Sequence, residues 1–206
     1  MNTGAEMDRK PLVVALAGPP GAGKTTLAFQ LQRRHAGAQL IVFDNYQPLW
    51  RMSQTEIRDW FAGGADLGRV DHSAIVAELR RATSNQPGLA PPPLVLFETP
   101  FGRLHRETAA FIDFLVWIDL PLDVALARAV LAFTRNAQRD PAPQAARDFI
   151  NWQIQYMTFY PTAREMYVAQ RQRVAPAADL SIDGNQPAEA AAEIVERALA
   201  SRGIAR

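Results

Sequence analysis

The chain has 206 residues, of which 48% are hydrophobic and 21% charged, with a formal net charge of +1 and no cysteine. The near-zero net charge shows no excess of basic residues that would indicate binding to nucleic acid or an anionic membrane. The missing cysteines exclude disulfides, thiolate nucleophiles and cysteine-ligated zinc. We expect one soluble, cytoplasmic domain over residues 1–206, because we find no composition boundary, no secretory signal and no apolar run of about 20 residues.

Five short apolar segments predict the strands of a sheet. They lack polar alternation, which is typical of parallel strands covered by helices on both faces. The strands are expected at residues 12–18, 39–44, 93–98, 114–119 and 178–183. Helices are expected to begin near residues 23, 53, 73, 105, 122, 144 and 187. The pattern predicts a three-layer α/β/α fold with right-handed crossovers.

Several segments outside the strands have their own signatures. Residues 1–10 are expected to be a disordered terminus, and the Pro-rich residues 86–93 a loop that leads into the third strand. Polar residues 134–143 predict a lid between the fourth and fifth strands. Four aromatic residues at near-helical spacing are interpreted as core rather than pocket: Phe149, Trp152, Tyr156 and Phe159.

Residues 18–25 spell GPPGAGKT directly after the first predicted strand, a full match to G-x-x-x-x-G-K-[ST]. Glycines let successive backbone N–H groups face phosphate oxygens, and the following helix adds its positive end. The alternative is an ordinary Gly- and Pro-rich turn between a strand and a helix. The string would arise by chance in only roughly one such chain in a hundred, which argues against that alternative. The predicted nucleotide-binding residues are Gly18, Pro19, Gly21, Ala22, Gly23, Lys24, Thr25 and Thr26.

The loop chemistry predicts ATP and Mg²⁺ as cofactors. Lys24 is expected to act in catalysis by contacting the β- and γ-phosphates, and the Thr25 hydroxyl is placed to ligate Mg²⁺. A guanine-reading N-K-x-D tetrad does not occur, which argues against a GTPase switch. The third predicted strand ends in the single acid Glu98 instead of the acidic pair of a motor protein. These features favour a small-molecule kinase.

The chain resembles the uridine kinase and phosphoribulokinase branch of the P-loop kinases. Besides the loop, the motifs that carry the resemblance are FDNY, VDHSAI, FETPFG, IDLPLDVALARAV and YPTAREMYVAQRQRVAPAADLSIDG, at residues 43–46, 70–75, 97–102, 118–130 and 160–184. They follow one another in the order of that family and span nearly the whole chain. The resemblance implies a five-stranded parallel sheet of order 2-3-1-4-5.

The resemblance also implies roles for acidic residues at strand ends. Asp44 matches the general base that accepts the proton of the acceptor hydroxyl, although an Asp before Asn45 also suits a turn cap. Glu98 could bind Mg²⁺ through water or contact the acceptor, and its alternative is a solvated loop carboxylate. Asp71 and His72 resemble the segment that holds acceptor hydroxyls, whereas a capping Asp before the helix at residue 73 is the other interpretation.

Further residues are assigned to the acceptor and to the lid. Tyr46 lies two residues after Asp44 and is expected to bind the acceptor. Arg103 follows a Gly-bearing loop and either contacts the acceptor or is an ordinary surface arginine. Arg128 is expected to contact substrate, while Arg135 and Arg139 in the lid are expected to offset charge in the transition state.

The sequence therefore predicts an ATP-dependent kinase that transfers the γ-phosphoryl group to a hydroxyl of a small molecule, either nucleoside-like or sugar-like. A nucleoside monophosphate kinase is one alternative, and it would need extra arginines near the acceptor. A non-catalytic ATP-binding regulator is another. The partner is a small-molecule acceptor, with no nucleic acid or membrane, and a homodimer is left open.

Overall fold

The computed structural model describes residues 10–46, 52–84, 91–139, 142 and 144–203. Its five strands are β1 (Leu12–Ala17), β2 (Gln39–Val42), β3 (Leu94–Glu98), β4 (Phe114–Asp119) and β5 (Leu180–Asp183). Its α-helices are α1 (Lys24–Arg34), α2 (Gln54–Ala62), α3 (Ser73–Thr83), α4 (Arg106–Ala109), α5 (Leu122–Arg139), α6 (Ala145–Val174) and α7 (Ala188–Ser201). Each predicted strand and helix start is confirmed to within two residues.

The strands form one parallel sheet of order β2-β3-β1-β4-β5, which confirms the predicted order. Val14 of β1 lies opposite Leu96 on one side and Phe114 on the other, so β1 is central. After β1 the chain forms β2 and β3 on one side of β1, and then crosses to form β4 and β5 on the other side. Open α/β sheets bind ligands at such a switch point, beyond the carboxyl ends of the strands.

Helices cover both faces of the sheet, which explains the continuous apolar character of the strands. Alternate residues of β1 point to opposite faces. Val14 and Leu16 pack with residues of α1 and α7, including Leu31 and Val195. The other face joins residues of β1, β3 and β4 to α3, with Leu79 fully buried there.

A third, smaller apolar cluster packs α2 and the following loop against α6. Trp60, Leu67 and Val70 form its buried centre, and Met166 of α6 packs against them. A capping box starts α2, because the Ser53 side chain accepts from the N–H of Glu56 while the Glu56 carboxylate accepts from the N–H of Ser53. This cluster holds α2 beside the carboxyl edge of the sheet.

The segment predicted as a lid, residues 134–143, is helical up to Arg139, whereas residue 142 lies outside the helices. Helix α5 continues to Arg139, and α6 is 30 residues long with Pro161 inside it. Residues 140, 141 and 143 lie outside the described part of the chain. So do residues 1–9, which belong to the predicted disordered terminus, and residues 85–90, which include most of the predicted Pro-rich loop. Closure of the α5–α6 connection over a nucleotide remains a prediction.

The aromatic stripe of α6 is not part of the three buried clusters. Its side chains are half-buried, and Trp152 stacks on Phe133 of α5 with ring centroids 3.8 Å apart. Trp152 therefore joins α6 to α5 instead of filling the core, whereas Phe159, also predicted as core, lines a cavity described below. Among the described residues, no helix combines the length and the apolar character needed to span a membrane.

Candidate active site

The loop between β1 and α1 has the backbone that its glycines predict. Gly21 and Gly23 adopt φ angles of +83° and +94°, which other residues rarely adopt. A side chain at Gly21 would collide with the backbone carbonyl of Ala125 in α5. Helix α1 begins at Lys24 with Gly23 as its N-cap and no capping side chain. Its first backbone N–H groups are therefore left for another acceptor, as at an anion-binding helix start.

Lys24 folds back over this loop. Its Nζ donates to the carbonyl oxygens of Gly18 and Pro19, at 3.1 and 3.2 Å, and lies 3.9 Å from Glu98 Oε1. Burial lowers the pKa of Lys24, and the nearby carboxylates of Glu98 and Asp44 oppose that shift. An ammonium held here by two carbonyl contacts would be in reach of the oxygens of a phosphate that binds the loop.

Thr25 and Glu98 bring two oxygen donors together. The Thr25 Oγ1 hydroxyl donates a hydrogen bond of 2.8 Å to Glu98 Oε2 at the end of β3. A hydroxyl and a carboxylate suit Mg²⁺, which usually binds through one or two protein oxygens together with substrate phosphates and water. Within the described residues no group of three or more metal-ligating side chains occurs. The donors thus fit a magnesium ion carried in with the nucleotide.

A cavity of about 650 Å³ lies over the loop and α1. Seven of the eight predicted nucleotide-binding residues line it. The eighth, Pro19, does not line it, and its carbonyl accepts from Lys24 Nζ and from the N–H of Ala22. Its far wall is formed by α5 and the β5–α7 connection, where Arg128 donates to the Gly184 carbonyl at 2.7 Å. Arg128 therefore lines the cavity over the loop, and its predicted contact with substrate remains a prediction.

A second cavity, of about 250 Å³, lies between α2, the loop after β3 and α6. Five residues line both cavities: Pro20, Asp44, Pro100, Tyr167 and Gln170. Asp44 thus stands where the two spaces meet. Desolvation raises the pKa of the Asp44 carboxyl, and the Lys24 ammonium opposes the rise.

Asp71 and His72 do not line either cavity. Asp71 accepts from the N–H of Ser73 at 2.9 Å, which is the capping role left open by the sequence. His72 is only 4% exposed, lies 2.7 Å from the Val70 carbonyl through Nδ1, and stacks on His105 with ring centroids 3.9 Å apart. Burial lowers the pKa of His72, as does the neighbouring His105. In this arrangement both residues support the loop before α3.

Arg103 and Tyr46 are also outside both cavities. The Arg103 guanidinium binds Asp179 at 2.6 Å and the Ala177 carbonyl at 2.9 Å, so it ties the loop after β3 to the segment before β5. Tyr46 is 36% exposed beyond the end of β2. The neighbouring residues 47–51 lie outside the described residues, and the expected contact of Tyr46 with the acceptor stays a prediction.

Arg135 and Arg139 lie exposed on the last turns of α5 and do not line either cavity. Their predicted contact with the transferring phosphate would need the α5–α6 hairpin to move toward the loop, and it remains a prediction.

Sequence reasoning missed the contribution of α6 to the second cavity. Residues Phe159, Ala163, Met166, Gln170 and Arg173 recur at intervals of three or four and line it. That spacing marks one helix face and was visible in the sequence. It could not be distinguished from a core-facing stripe, because periodicity does not tell whether a helix faces a cavity or packed side chains.

Comparison with known proteins identifies the fold. A scan against protein-family models finds no match. A search of curated proteins finds none either. Among solved structures, shikimate kinase from Aquifex aeolicus vf5 is similar with a TM-score of 0.50 and 16% identity, over 94% of this chain and 99% of that one. Shikimate kinase from Acinetobacter baumannii in complex with shikimate gives 0.48 and 17%, over 93% and 94%.

The sheet order, the loop and the likeness to the Aquifex structure define the class: this chain has the three-layer α/β/α P-loop fold. At 16% identity the likeness reaches no further than the fold, and it does not support the uridine kinase and phosphoribulokinase branch in particular.

Proposed function

We propose that the protein is an ATP- and Mg²⁺-dependent phosphotransferase that phosphorylates a hydroxyl group of a small molecule. The observation that carries the proposal is the position of Asp44, which lines both the cavity over the phosphate loop and the second cavity. A carboxylate at this junction lies between a bound γ-phosphate and an acceptor in the second cavity. That is the position a general base needs.

The chemistry follows from these positions. The acceptor oxygen attacks the γ-phosphorus as the bond to the leaving ADP oxygen breaks, and Asp44 takes the hydroxyl proton. Lys24 and the loop amides neutralise charge on the phosphate oxygens. A magnesium ion held by Thr25 and Glu98 would supply further charge on the phosphates. Positioning and electrostatics do most of the work in such a transfer.

Other parts of the cavity over the loop suit the rest of the nucleotide. Arg128 lies on the wall formed with the β5–α7 connection, where we assign it a contact with the base or ribose. Arg135 and Arg139 are assigned to phosphate after movement of the α5–α6 hairpin. The assignment of Arg135 and Arg139 extends the sequence-based prediction of a lid.

A nucleoside monophosphate kinase is disfavoured by the second cavity. Such an enzyme needs cationic side chains around the phosphate of its acceptor. Of the described residues that line this cavity, Arg173 alone is cationic, and Arg103 is held by Asp179 instead. The part of the second cavity that the described residues form therefore offers no cluster of cations for an acceptor phosphate.

The test measures ADP release from protein, Mg²⁺ and ATP with and without pooled alcohols. Acceptor-dependent ADP release is expected, and Asp44→Asn should lower kcat by about 100-fold or more while ATP affinity stays within about threefold. Asp59→Asn, an exposed carboxylate on α2, is the matched control and should behave as wild type. Tight ATP binding without transfer to any alcohol would favour the non-catalytic regulator.

A further inference from the structure

The second cavity is walled by apolar side chains. They come from α2 and its following loop, from the loop after β3 and from α6, and the largest are Trp60, Phe61, Phe101, Phe159 and Met166. Trp60 presents no free donor, because its Nε1 donates to the Asp66 carbonyl at 2.9 Å. A volume of about 250 Å³ is close to the lower end of ligand pockets, which span roughly 300–1,000 Å³, and it suits a molecule with one ring.

One buried polar atom at this cavity lacks a partner. Gln170, which lines both cavities, donates from Nε2 to the Pro100 carbonyl, and this contact fixes which way its amide faces. Its Oε1 is buried and accepts no hydrogen bond from the described residues. An unpaired buried acceptor costs free energy, so a ligand that donates to Gln170 Oε1 gains from satisfying it.

We infer that the acceptor is an alcohol with an apolar, ring-bearing body and a second hydrogen-bond donor close to the reacting hydroxyl. The ring occupies the apolar part of the second cavity, the reacting hydroxyl faces Asp44, and the second donor binds Gln170 Oε1. This inference rests on the proposed function and replaces its general acceptor with a chemical class. It differs from the sugar-like or nucleoside-like acceptor expected from the sequence.

The free energy of removing water from the ligand decides between a sugar-like acceptor and an alcohol with an apolar ring. A sugar or polyol entering this cavity would lose water around several hydroxyl groups, while the described lining residues offer few polar partners. A phenyl-sized group would instead gain from leaving water. Arg173 lines this cavity and is exposed, so its guanidinium can contact a polar tail of the acceptor at the cavity mouth.

The experiment compares two diols that differ by one ring, 3-phenylpropane-1,2-diol and propane-1,2-diol. Binding is measured by ligand-observed NMR with the full-length protein, ADP and Mg²⁺, and transfer is measured separately with ATP. The phenyl diol is expected to bind about 10- to 100-fold tighter, the gain from burying a phenyl group. Phe159→Ala and Met166→Ala should each weaken it about tenfold or more, whereas Phe149→Ala, on the same helix but outside the cavity, should not.

Gln170 is tested with a third compound, 3-phenylpropan-1-ol, which lacks the second hydroxyl. Wild type should prefer the phenyl diol over this alcohol by about fivefold or more, and Gln170→Met should remove the preference. A preference that survives in Gln170→Met overturns the role of Gln170.

The two proposals fail in different ways. Equal binding of both diols, or binding of the phenyl diol that Phe159→Ala and Met166→Ala leave unchanged, overturns the apolar acceptor. If polyols or nucleosides are phosphorylated while the phenyl diol does not bind, the proposed function stands and this inference falls. If the phenyl diol binds as expected but neither it nor any pooled alcohol is phosphorylated, the apolar site stands and the proposed function falls.

Discussion

Thr25 and Glu98, 73 residues apart in the sequence, are joined by a hydrogen bond of 2.8 Å from the Thr25 hydroxyl to Glu98 Oε2. The bond links the first turn of α1 to the carboxyl end of β3. Glu98 is only 7% exposed, and Lys24 Nζ lies 3.9 Å from its other oxygen. This one carboxylate thus contacts both side chains that the phosphate loop offers to a magnesium nucleotide.

Glu98→Gln should raise the Mg²⁺ concentration needed for half-maximal activity by about tenfold or more, because the amide keeps an acceptor for Thr25 but loses the negative charge that attracts the ion. The measurement is a magnesium titration of ADP release at fixed ATP. Glu107→Gln, an exposed carboxylate on α4, serves as control. An unchanged magnesium requirement would show that Glu98 does not act on the metal.

The pKa of Asp44 predicts the acid side of the pH profile. Desolvation raises this pKa above the ordinary 3.8, and a general base must be ionised to accept a proton. As pH falls, kcat/KM should therefore begin to drop at a pH above 3.8. The profile is measured with circular dichroism at each pH, so that loss of fold is separated from protonation. An acid limb at or below the ordinary value contradicts the assignment.

Two glycines of the phosphate loop provide a matched pair. Gly23→Ala should destabilise the protein by about 1–2 kcal/mol, because φ is positive at Gly23 but no atom lies within 4 Å of the added Cβ. Gly21→Ala should cost about 1–3 kcal/mol more, since its Cβ would also displace the Ala125 carbonyl. Urea unfolding measures both. Equal losses of stability in the two variants would mean that α5 moves aside for the Cβ of Gly21→Ala at no cost in free energy.

Arg103 tests a sequence-based prediction directly. Because its guanidinium binds Asp179 and the Ala177 carbonyl, Arg103→Leu should lower stability by about 1–3 kcal/mol and leave the acceptor KM within about twofold. Arg164→Leu, whose side chain is 55% exposed beside Glu165, should change stability by less than about 1 kcal/mol. A large rise in acceptor KM with unchanged stability would restore the substrate-binding role that the sequence suggested.

Some site residues could be predicted because their signals are local. Lys24 and Thr25 belong to a motif whose glycines, lysine and hydroxyl occupy fixed positions, so spacing alone indicates the chemistry. Asp44 and Glu98 could be predicted because Asp44 closely follows β2 and Glu98 ends β3, and parallel strands end at one edge of the sheet. Arg103 could not, since only the chain 76 residues later provides its partner, Asp179.

The sequence by itself determined the fold class and the phosphate loop. Both depend on patterns within a few residues, namely apolar runs that strands bury and glycines that a tight anion-binding loop requires. The tertiary structure alone decided that one face of α6 lines a cavity with α2, and that Gln170 and Asp44 line the same cavity. Those contacts join segments more than 100 residues apart, and their packing depends on the shapes of many side chains at once, which no local pattern records.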